Sequence, residues 1–191
     1  MSNSANTASN VTAGKPAVAG AIWAAPVGTT LPQDTTTSLN SAFKCLGYCS
    51  EDGLSNGTEL DTTDVKAWGG DTVLTIQTSK KDTFKFTLIE VLNEDVLKFV
   101  YGAANVSGSL ETGLTIDVNN ADVEEKAIVI DMVLRNGVAK RIVIPDCKIS
   151  DLGDITYADG DAVGYETTVT CMPDSDGNMH YEYLKKGTVS G

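Results

Sequence analysis

The residues of this chain that could carry out chemistry are few and far apart. The one histidine, His180, lies in no sequence pattern that would make it the general base of a nucleophile. Cys45 and Cys49 would lie about 13 Å apart along one strand, too far for a disulfide. The four cysteines also lack the paired spacing of a zinc site. We therefore expect free thiols, no metal, no cofactor and no catalytic residues, so the chain is not predicted to be an enzyme.

One acidic segment has part of the pattern of a calcium-binding loop. Residues 174–178 have the sequence DSDGN. Met179, however, stands where such a loop needs glycine, and Lys185 stands where it needs a bidentate glutamate. A polar turn is therefore the better interpretation. Paired carboxylates such as Glu124 and Glu125 are expected by composition in so acidic a chain and do not indicate glycoside hydrolysis.

The charge balance restricts the possible partners. Fourteen Lys and Arg residues stand against 26 Asp and Glu residues in 191, a formal charge of -12. Binding to nucleic acid or to an anionic membrane requires clustered basic residues, and no cluster here is denser than two adjacent residues. The charge is compatible with a surface past which DNA moves without binding, because like charges repel each other.

The length suits one domain with a terminal extension. Residues 1–16 are small and polar and predict a flexible N-terminal arm, followed by a single domain over residues 17–191. The first residues have neither the basic start nor the apolar core of a signal peptide, and Ala17–Val27 is too short to cross a bilayer. We therefore expect synthesis in a reducing cytosol and no membrane partner.

The clearest strand signal is the run of residues 126–150. Asn136 and Gly137 stand between two segments rich in β-branched residues, which predicts a hairpin with a two-residue turn of type I′. Because the turn sets the register, this prediction places Asp131 opposite Ile142.

Other patterns complete the predicted fold. Residues 165–172 and 179–184 alternate in polarity and predict a second hairpin. One short helix is predicted at about residues 93–101, with Asn93 as its N-cap and Gly102 at its end. The sequence therefore predicts a mainly β fold, an antiparallel β-sandwich or barrel with one short flanking α-helix.

A long polar segment, residues 50–70, separates two short strand patterns at 43–49 and 72–79. A connection of this length inside a compact domain is unusual and is normally functional. Its few large apolar side chains cannot form a core of their own. We expect this loop to be mobile in the free subunit and to become ordered against another copy of the chain. The interface candidates are Leu54, Leu60, Val65 and Trp68.

Several short segments resemble one protein family in their order and spacing. They are AIWAAPVGTTLP from residue 21, LNSAFKCLGY from residue 39 and AWGGDTVLTI from residue 67. In these segments the chain resembles the major tail protein, or tail tube protein, of long-tailed non-contractile bacteriophages. The resemblance extends from about Ala17 to Ile149 and contains no catalytic signature.

The resemblance implies a structural virion protein. Six copies would form a ring, stacked rings would form the tail tube, and the genome would pass through the tube into the host without specific binding. The loop at residues 50–70 would contact the neighbouring ring, and the candidate residues that face the lumen are Thr75, Gln77 and Asp131. The implied partners are further copies of the chain and other tail proteins: the tape measure, tail terminator and distal tail proteins. Assembly in the host cytoplasm and a place in the virion tail follow from the same resemblance.

A second hypothesis comes from a different functional class. A secreted or cell-surface β-sandwich that acts as an adhesin or binding domain would also explain the acidity and the threonine-rich strands. The lack of a signal peptide pattern and the unpatterned cysteines disfavour it. Purified size separates the two hypotheses, because a tube protein should form rings or polymers and an adhesin domain should remain a monomer.

Overall fold

Antiparallel β-strands make up most of the fold. The computed structural model describes residues 6–17 and 20–187. These ranges contain eleven strands and one α-helix, α1 (Glu94–Tyr101). The strands are β1 (Lys15–Pro16), β2 (Ile22–Pro26), β3 (Lys44–Cys45), β4 (Cys49–Lys66), β5 (Thr72–Leu88), β6 (Val106–Ser109), β7 (Gly113–Ile116), β8 (Lys126–Leu134), β9 (Val138–Leu152), β10 (Tyr165–Cys171) and β11 (Tyr181–Lys186).

Nine of these strands belong to one antiparallel sheet. Its order is β3-β2-β8-β9-β10-β5-β4, with β1 paired to β8 and β11 paired to β9, while β6 and β7 form a separate pair. Strand β9 is long enough to pair with β8 on one side and with both β11 and β10 on the other. The prediction of a mainly antiparallel β fold, compatible with a sandwich and flanked by one helix, is confirmed.

Two apolar clusters lie on opposite faces of this sheet. The larger one combines α1 with residues of β2, β5, β8, β9 and β10. The smaller one lies behind β8 and β9 and is covered by Leu31, Leu39, Phe43 and the two tyrosines of β11. Burial of these side chains is the main source of the stability of the subunit.

The helix has the boundaries that its caps predict. The side chain of Asn93 accepts a hydrogen bond from the backbone N–H of Asp95 at 3.0 Å. Gly102 ends the helix with φ 90, a conformation that favours glycine, and its N–H donates to Lys98 O. The apolar side of the helix is buried against the sheet and carries Val96, Leu97, Phe99 and Val100.

The hairpin of β8 and β9 has a register one residue away from the predicted one. Its turn contains Arg135, Asn136 and Gly137, and the last two of these have positive φ. Asp131 consequently lies opposite Arg141, and the predicted pairing with Ile142 is wrong. The glycine and asparagine were correctly placed in the turn, but the sequence did not show that a third residue joins them.

The predicted second hairpin is also wrong. Strands β10 and β11 do not pair with each other, because each pairs with a different part of β9. Cys171 lies opposite Cys147, and Tyr181 lies opposite Val143. The predicted polar turn between them does form around Asp174, whose carboxylate accepts hydrogen bonds from two backbone N–H groups and from the Tyr181 hydroxyl.

The segment predicted as a loop at residues 50–70 is mostly strand. Residues 49–66 form β4, which pairs with β5 as far as Lys66 opposite Thr72, so only a short turn remains irregular. Sequence analysis missed the strand because asparagine, aspartate and glycine are depleted in strands. Here pairing with the long, β-branched β5 outweighs that preference.

The predicted N-terminal arm, residues 1–16, lies partly outside the described residues. Of the part that is described, Lys15 and Pro16 pair with Val133 and Met132 of β8. The hydroxyl of Thr12 accepts a hydrogen bond from the N–H of Arg135 at 2.8 Å. The end of the arm is therefore attached to the sheet.

Candidate assembly interface

The outer part of the β4–β5 hairpin projects from the domain as a two-stranded ribbon, defined here as residues 55–81. Among strands of the described residues, β10 pairs with β5 only from Thr83 to Leu88, and β4 pairs only with β5. Beyond Thr83, neither outer edge of the ribbon has a partner strand among the described residues. Every residue of the ribbon is exposed. At about 3.3 Å per residue, its strands extend about 30 Å from the domain.

A buried carboxylate fixes the base of the ribbon. Asp82 has a relative exposure of 2%, the lowest of any acidic residue in the described core. It accepts hydrogen bonds from Asn56 Nδ2 at 2.8 Å and Thr58 Oγ1 at 3.4 Å, and it contacts His180 Nδ1 at 2.5 Å. The cluster therefore joins β4, β5 and the segment that leads into β11.

Neighbouring groups close this cluster against water. The ring of His180 packs edge-on against Phe84, with ring centroids 5.2 Å apart. Burial, reinforced by the nearby Asp82 carboxylate, raises the pKa of Cys171 to about 12. The only histidine of the chain therefore has a structural position, and Cys171 remains a protonated thiol at neutral pH.

Gly47, two residues before β4, has a definite steric role. Gly47 has φ 71, and a side chain at this position would overlap the carboxyl group of Glu90. That carboxyl group accepts hydrogen bonds from the N–H of Tyr48 and from Asn93 Nδ2. The close approach of Gly47 and Glu90 therefore sets where the hairpin begins relative to α1.

The two faces of the ribbon differ in polarity near its tip. Side chains directly opposite each other in an antiparallel pair share a face. Val65 pairs with Leu74, and Thr63 pairs with Ile76, so three large apolar side chains lie on one face. All three are exposed, at 42%, 53% and 46% respectively for Val65, Leu74 and Ile76.

The opposite face of the ribbon is mainly polar. Asp64 pairs with Thr75, whose hydroxyl donates to the carboxylate at 2.7 Å, and Thr62 pairs with Gln77. The predicted lumen residues Thr75 and Gln77 therefore lie together on one face, away from Val65. Leu60 lies on this polar face, and Val73, also exposed, lies at the irregularity in register between Leu74 and Thr72.

The four predicted interface residues have two different positions. Leu60, Val65 and Trp68 are exposed on the ribbon, and Trp68 lies in its turn fully open to solvent. Leu54 instead packs against the core of its own subunit. Sequence analysis did not name Leu74 and Ile76 as interface residues, although the β-forming residues at 72–77 of the predicted strand were the signal that could have revealed them.

Asp131 lies away from the ribbon and is engaged in an ion pair. Its two carboxylate oxygens accept from Nε and Nη2 of Arg141 at 2.6 and 2.9 Å. The other terminal nitrogen of Arg141 donates to the carbonyls of Asp34 and Thr37. Arg141 is the partner of Asp131, while the neighbouring Lys140 pairs with Glu182.

The described residues contain no group of three or more His, Cys, Asp and Glu placed to hold a metal ion. Burial raises the pKa of Cys49 to about 11 and also raises that of Cys147.

None of the helices in the described part of the chain has both the length and the apolar character needed to cross a membrane.

A comparison with curated proteins finds no match to the sequence. The family model described as phage tail tube protein matches residues 4–190, almost the whole chain. The match includes β4, β5, the domain core and the strands after it. The chain therefore belongs to the phage tail tube protein family.

Proposed function

We propose that six copies of this chain close into a ring and that stacked rings form a tube through which the phage genome passes. The observation that carries the proposal is the ribbon, which has two open edges and exposed apolar side chains. A two-stranded ribbon is marginally stable alone in water. Open strand edges and exposed apolar clusters of this kind are typical of surfaces that meet another chain.

The ribbon tip supports a contact between rings. Trp68 is fully exposed in the turn, and Val65 lies beside it at the end of β4. A ribbon about 30 Å long can reach beyond the body of its own subunit. We assign Leu60, Val65 and Trp68 to this contact, and we leave out Leu54 because it packs on its own core.

The charge of the chain supports a conduit that does not hold DNA. The formal charge is -12, and a wall that carries the same sign as the phosphates avoids contacts that would slow a moving polymer. Thr75 and Gln77 on the polar face of the ribbon are the proposed lumen residues. Asp131 remains a candidate, although its charge is compensated by Arg141.

The same proposal gives the chain its partners and its place. It has a structural and not a catalytic role, it assembles in the host cytoplasm, and it ends in the tail of the virion. The tape measure, tail terminator and distal tail proteins are its further partners. No membrane contact and no specific binding of DNA belong to the proposal.

Negative-stain microscopy of the purified, concentrated protein tests the proposal. We expect six-fold rings or tubes from the unmodified chain. Asp61 and Ser79 lie opposite each other, so replacing residues 62–78 by Asn-Gly shortens the ribbon without unpairing its base. This variant should be a folded monomer that forms no tube.

Trp68→Ala provides a finer test of the same proposal, with Tyr157→Ala as its control. Tyr157 is also an exposed aromatic residue, at 77%, but it lies outside the ribbon. Loss of tubes in the first variant alone supports the proposal. Tubes of normal length and number from the shortened ribbon would overturn it.

A further inference from the structure

We propose that Cys147 and Cys171 form a site of reversible oxidation, at which a peroxide closes a disulfide between β9 and β10. Both cysteines are free thiols in the structure. The inference concerns the single subunit, so it does not depend on whether copies of the chain form rings. It follows from the register of the two strands, from the face that both side chains share and from the position of Cys171 at the end of β10.

The register of β9 and β10 places the two cysteines directly opposite each other. At the next pair along the ladder, the N–H of Met172 donates to the carbonyl of Asp146 at 2.9 Å. Hydrogen-bonded and non-hydrogen-bonded pairs alternate in an antiparallel ladder, so Cys147 and Cys171 form a non-hydrogen-bonded pair. The α-carbons of such a pair are about 4.5 Å apart. A disulfide needs about 4.4–6.8 Å between them, so the bond requires no large movement of the backbone.

Both thiols lie in the interior of the subunit. They belong to the larger apolar cluster, together with α1, and Cys147 and Cys171 have relative exposures of only 1% and 4%. Side chains directly opposite each other in an antiparallel pair share a face. Burial, reinforced by the nearby Cys171, raises the pKa of Cys147. The fold therefore brings two thiols together where the thiols of a second copy cannot compete for them.

Each thiol has a different polar neighbour while it is reduced. Cys147 Sγ donates to the carbonyl of Lys126 at 3.2 Å, and Cys171 lies against the carboxylate of Asp82. A disulfide has no S–H group, so oxidation takes a donor away from each of these oxygens. Because Asp82 also accepts from side chains of β4, closing the disulfide changes the hydrogen bonding at the base of the ribbon.

The oxidation begins at Cys171, which is the last residue of β10. Its burial makes the reaction slow, because the thiol meets the oxidant only when the end of the strand opens. The Cys171 thiolate attacks one oxygen of hydrogen peroxide, the O–O bond breaks, and the leaving hydroxide takes up the thiol proton as water.

Cys147 completes the reaction. Its thiolate attacks the sulfur of the resulting sulfenic acid, the S–O bond breaks, and the leaving hydroxide takes up the second thiol proton as water. The two sulfur atoms together lose two electrons, and one peroxide is reduced to two waters. A reducing cytosol keeps such a pair as thiols, whereas an oxidising medium outside the cell allows it to close.

The other two cysteines provide a comparison within the same chain. Cys45 and Cys49 are partly exposed. Cys45 pairs with Trp23 and Cys49 pairs with Leu88, so the register gives each of them a different partner. Removing these two thiols should therefore leave the oxidation of the buried pair unchanged.

Peroxide treatment of the folded, purified subunit, followed by alkylation and peptide mass spectrometry, tests the inference. Trypsin places Cys147 in the peptide 142–148 and Cys171 in the peptide 149–185, whereas the other two cysteines share the peptide 45–66. We expect the first two peptides to be linked to each other and to separate on reduction with dithiothreitol. Sedimentation should show that the oxidised protein is still a monomer.

Two variants sharpen the test. Cys147→Ala should form no linked peptide, while the matched control, Cys45→Ala with Cys49→Ala, should form it at the rate of the unmodified chain. In this control, oxidation should raise the midpoint of thermal unfolding by about 5–10 °C, because a disulfide constrains the unfolded chain. Peptide mapping of the unmodified chain gives a result even if Cys147→Ala fails to fold.

The outcomes separate this inference from the proposed function. Full alkylation of Cys147 and Cys171 after peroxide treatment would overturn the inference, as would sulfinic acid at either residue in place of the linked peptide. A linked peptide that lowers the midpoint of thermal unfolding would show that the ladder does not accommodate the bond. If the linked peptide forms and the chain forms no rings, only the proposed function fails. Rings without the linked peptide have the reverse meaning.

Discussion

Two long hairpins of this protein have similar pairing and opposite surroundings. The β8–β9 hairpin lies inside the sheet, with β2 on one side and β10 and β11 on the other. Its Ile128 and Ile144 lie opposite each other and are completely buried. Within the part of the chain that the structure describes, the ribbon has no neighbouring strand on either edge, and its opposed pairs, such as Asp64 with Thr75, are exposed.

This difference separates two roles for the same backbone pattern. The hydrogen bonds of an isolated ribbon compete with water, whereas the β8–β9 hairpin gains from apolar burial on both faces. The free energy of unfolding of the subunit therefore depends on β8 and β9, and the ribbon contributes mainly to association. Opening of the ribbon should cost much less than global unfolding.

The largest expected effect compares one isoleucine from each hairpin. Ile128→Ala removes a side chain with 0% exposure and should lower the free energy of unfolding by about 2–5 kcal/mol. Ile76→Ala, at 46% exposure, should change it by less than about 0.5 kcal/mol and yet reduce assembly. Urea unfolding of the monomer and sedimentation at high concentration measure the two effects. Equal losses of subunit stability would break the comparison.

The second prediction compares one aspartate from each hairpin. Asp131→Asn leaves the nearly buried Arg141 without its ionic partner, which should cost about 3 kcal/mol. Asp64→Asn removes an exposed bond to Thr75 and should cost less than about 1 kcal/mol. Thermal unfolding of both variants checks the prediction. A small effect at Asp131 would mean that its ion pair contributes little to the subunit.

The third prediction compares the two turns. Gly137 has φ 70 and Gly69 has φ 121, so valine is strained at both positions. Gly137→Val should lower subunit stability by about 1–3 kcal/mol, because the turn connects two core strands. Gly69→Val should leave global unfolding unchanged, since the ribbon tip opens separately. Gly160→Ala, which lies at an open position without positive φ, serves as the control in denaturant unfolding.

The smallest effect concerns the base of the ribbon. The pKa of Cys171 is about 12 in the folded chain and about 9 in an unfolded one. Between these values the unfolded state loses a proton that the folded state keeps, so this contribution to stability is complete below pH 9 and declines as the pH rises toward 12. Cys171→Ala should show a weaker decline above pH 9 in thermal unfolding. An unchanged decline would indicate that Cys171 is not sequestered at the base.

Much of the fold could be predicted because its signals are local. The helix was marked by Asn93 and Gly102, and β8 and β9 were marked by dense β-branched residues. The register of β8 with β9 could not be predicted, since it depends on whether Arg135 joins the turn. The pairing of β10 and β11 with β9 depends on contacts between distant segments, which local patterns do not show.

The sequence predicted which segment forms the candidate interface, but it did not predict that this segment is a two-stranded ribbon. The segment around Trp68 was identified from its length and its few apolar residues, but its polar composition concealed a strand. Only cross-strand pairing revealed Leu74 as the partner of Val65 and Ile76 as a residue on the same face of the ribbon. The contact between Asp82 and His180 joins residues 98 positions apart, so no short motif could have revealed it.

Hydrogen exchange of the backbone amides, measured by mass spectrometry in the free subunit and in the assembled polymer, tests the central claim most directly. In the free subunit, peptides from the ribbon, residues 55–81, should exchange rapidly, while peptides from β8 and β9 remain protected. In the polymer, the ribbon peptides should become protected as well. Slow exchange of the ribbon in the free subunit, or rapid exchange in the polymer, would contradict the claim that the ribbon is stabilised by neighbouring copies.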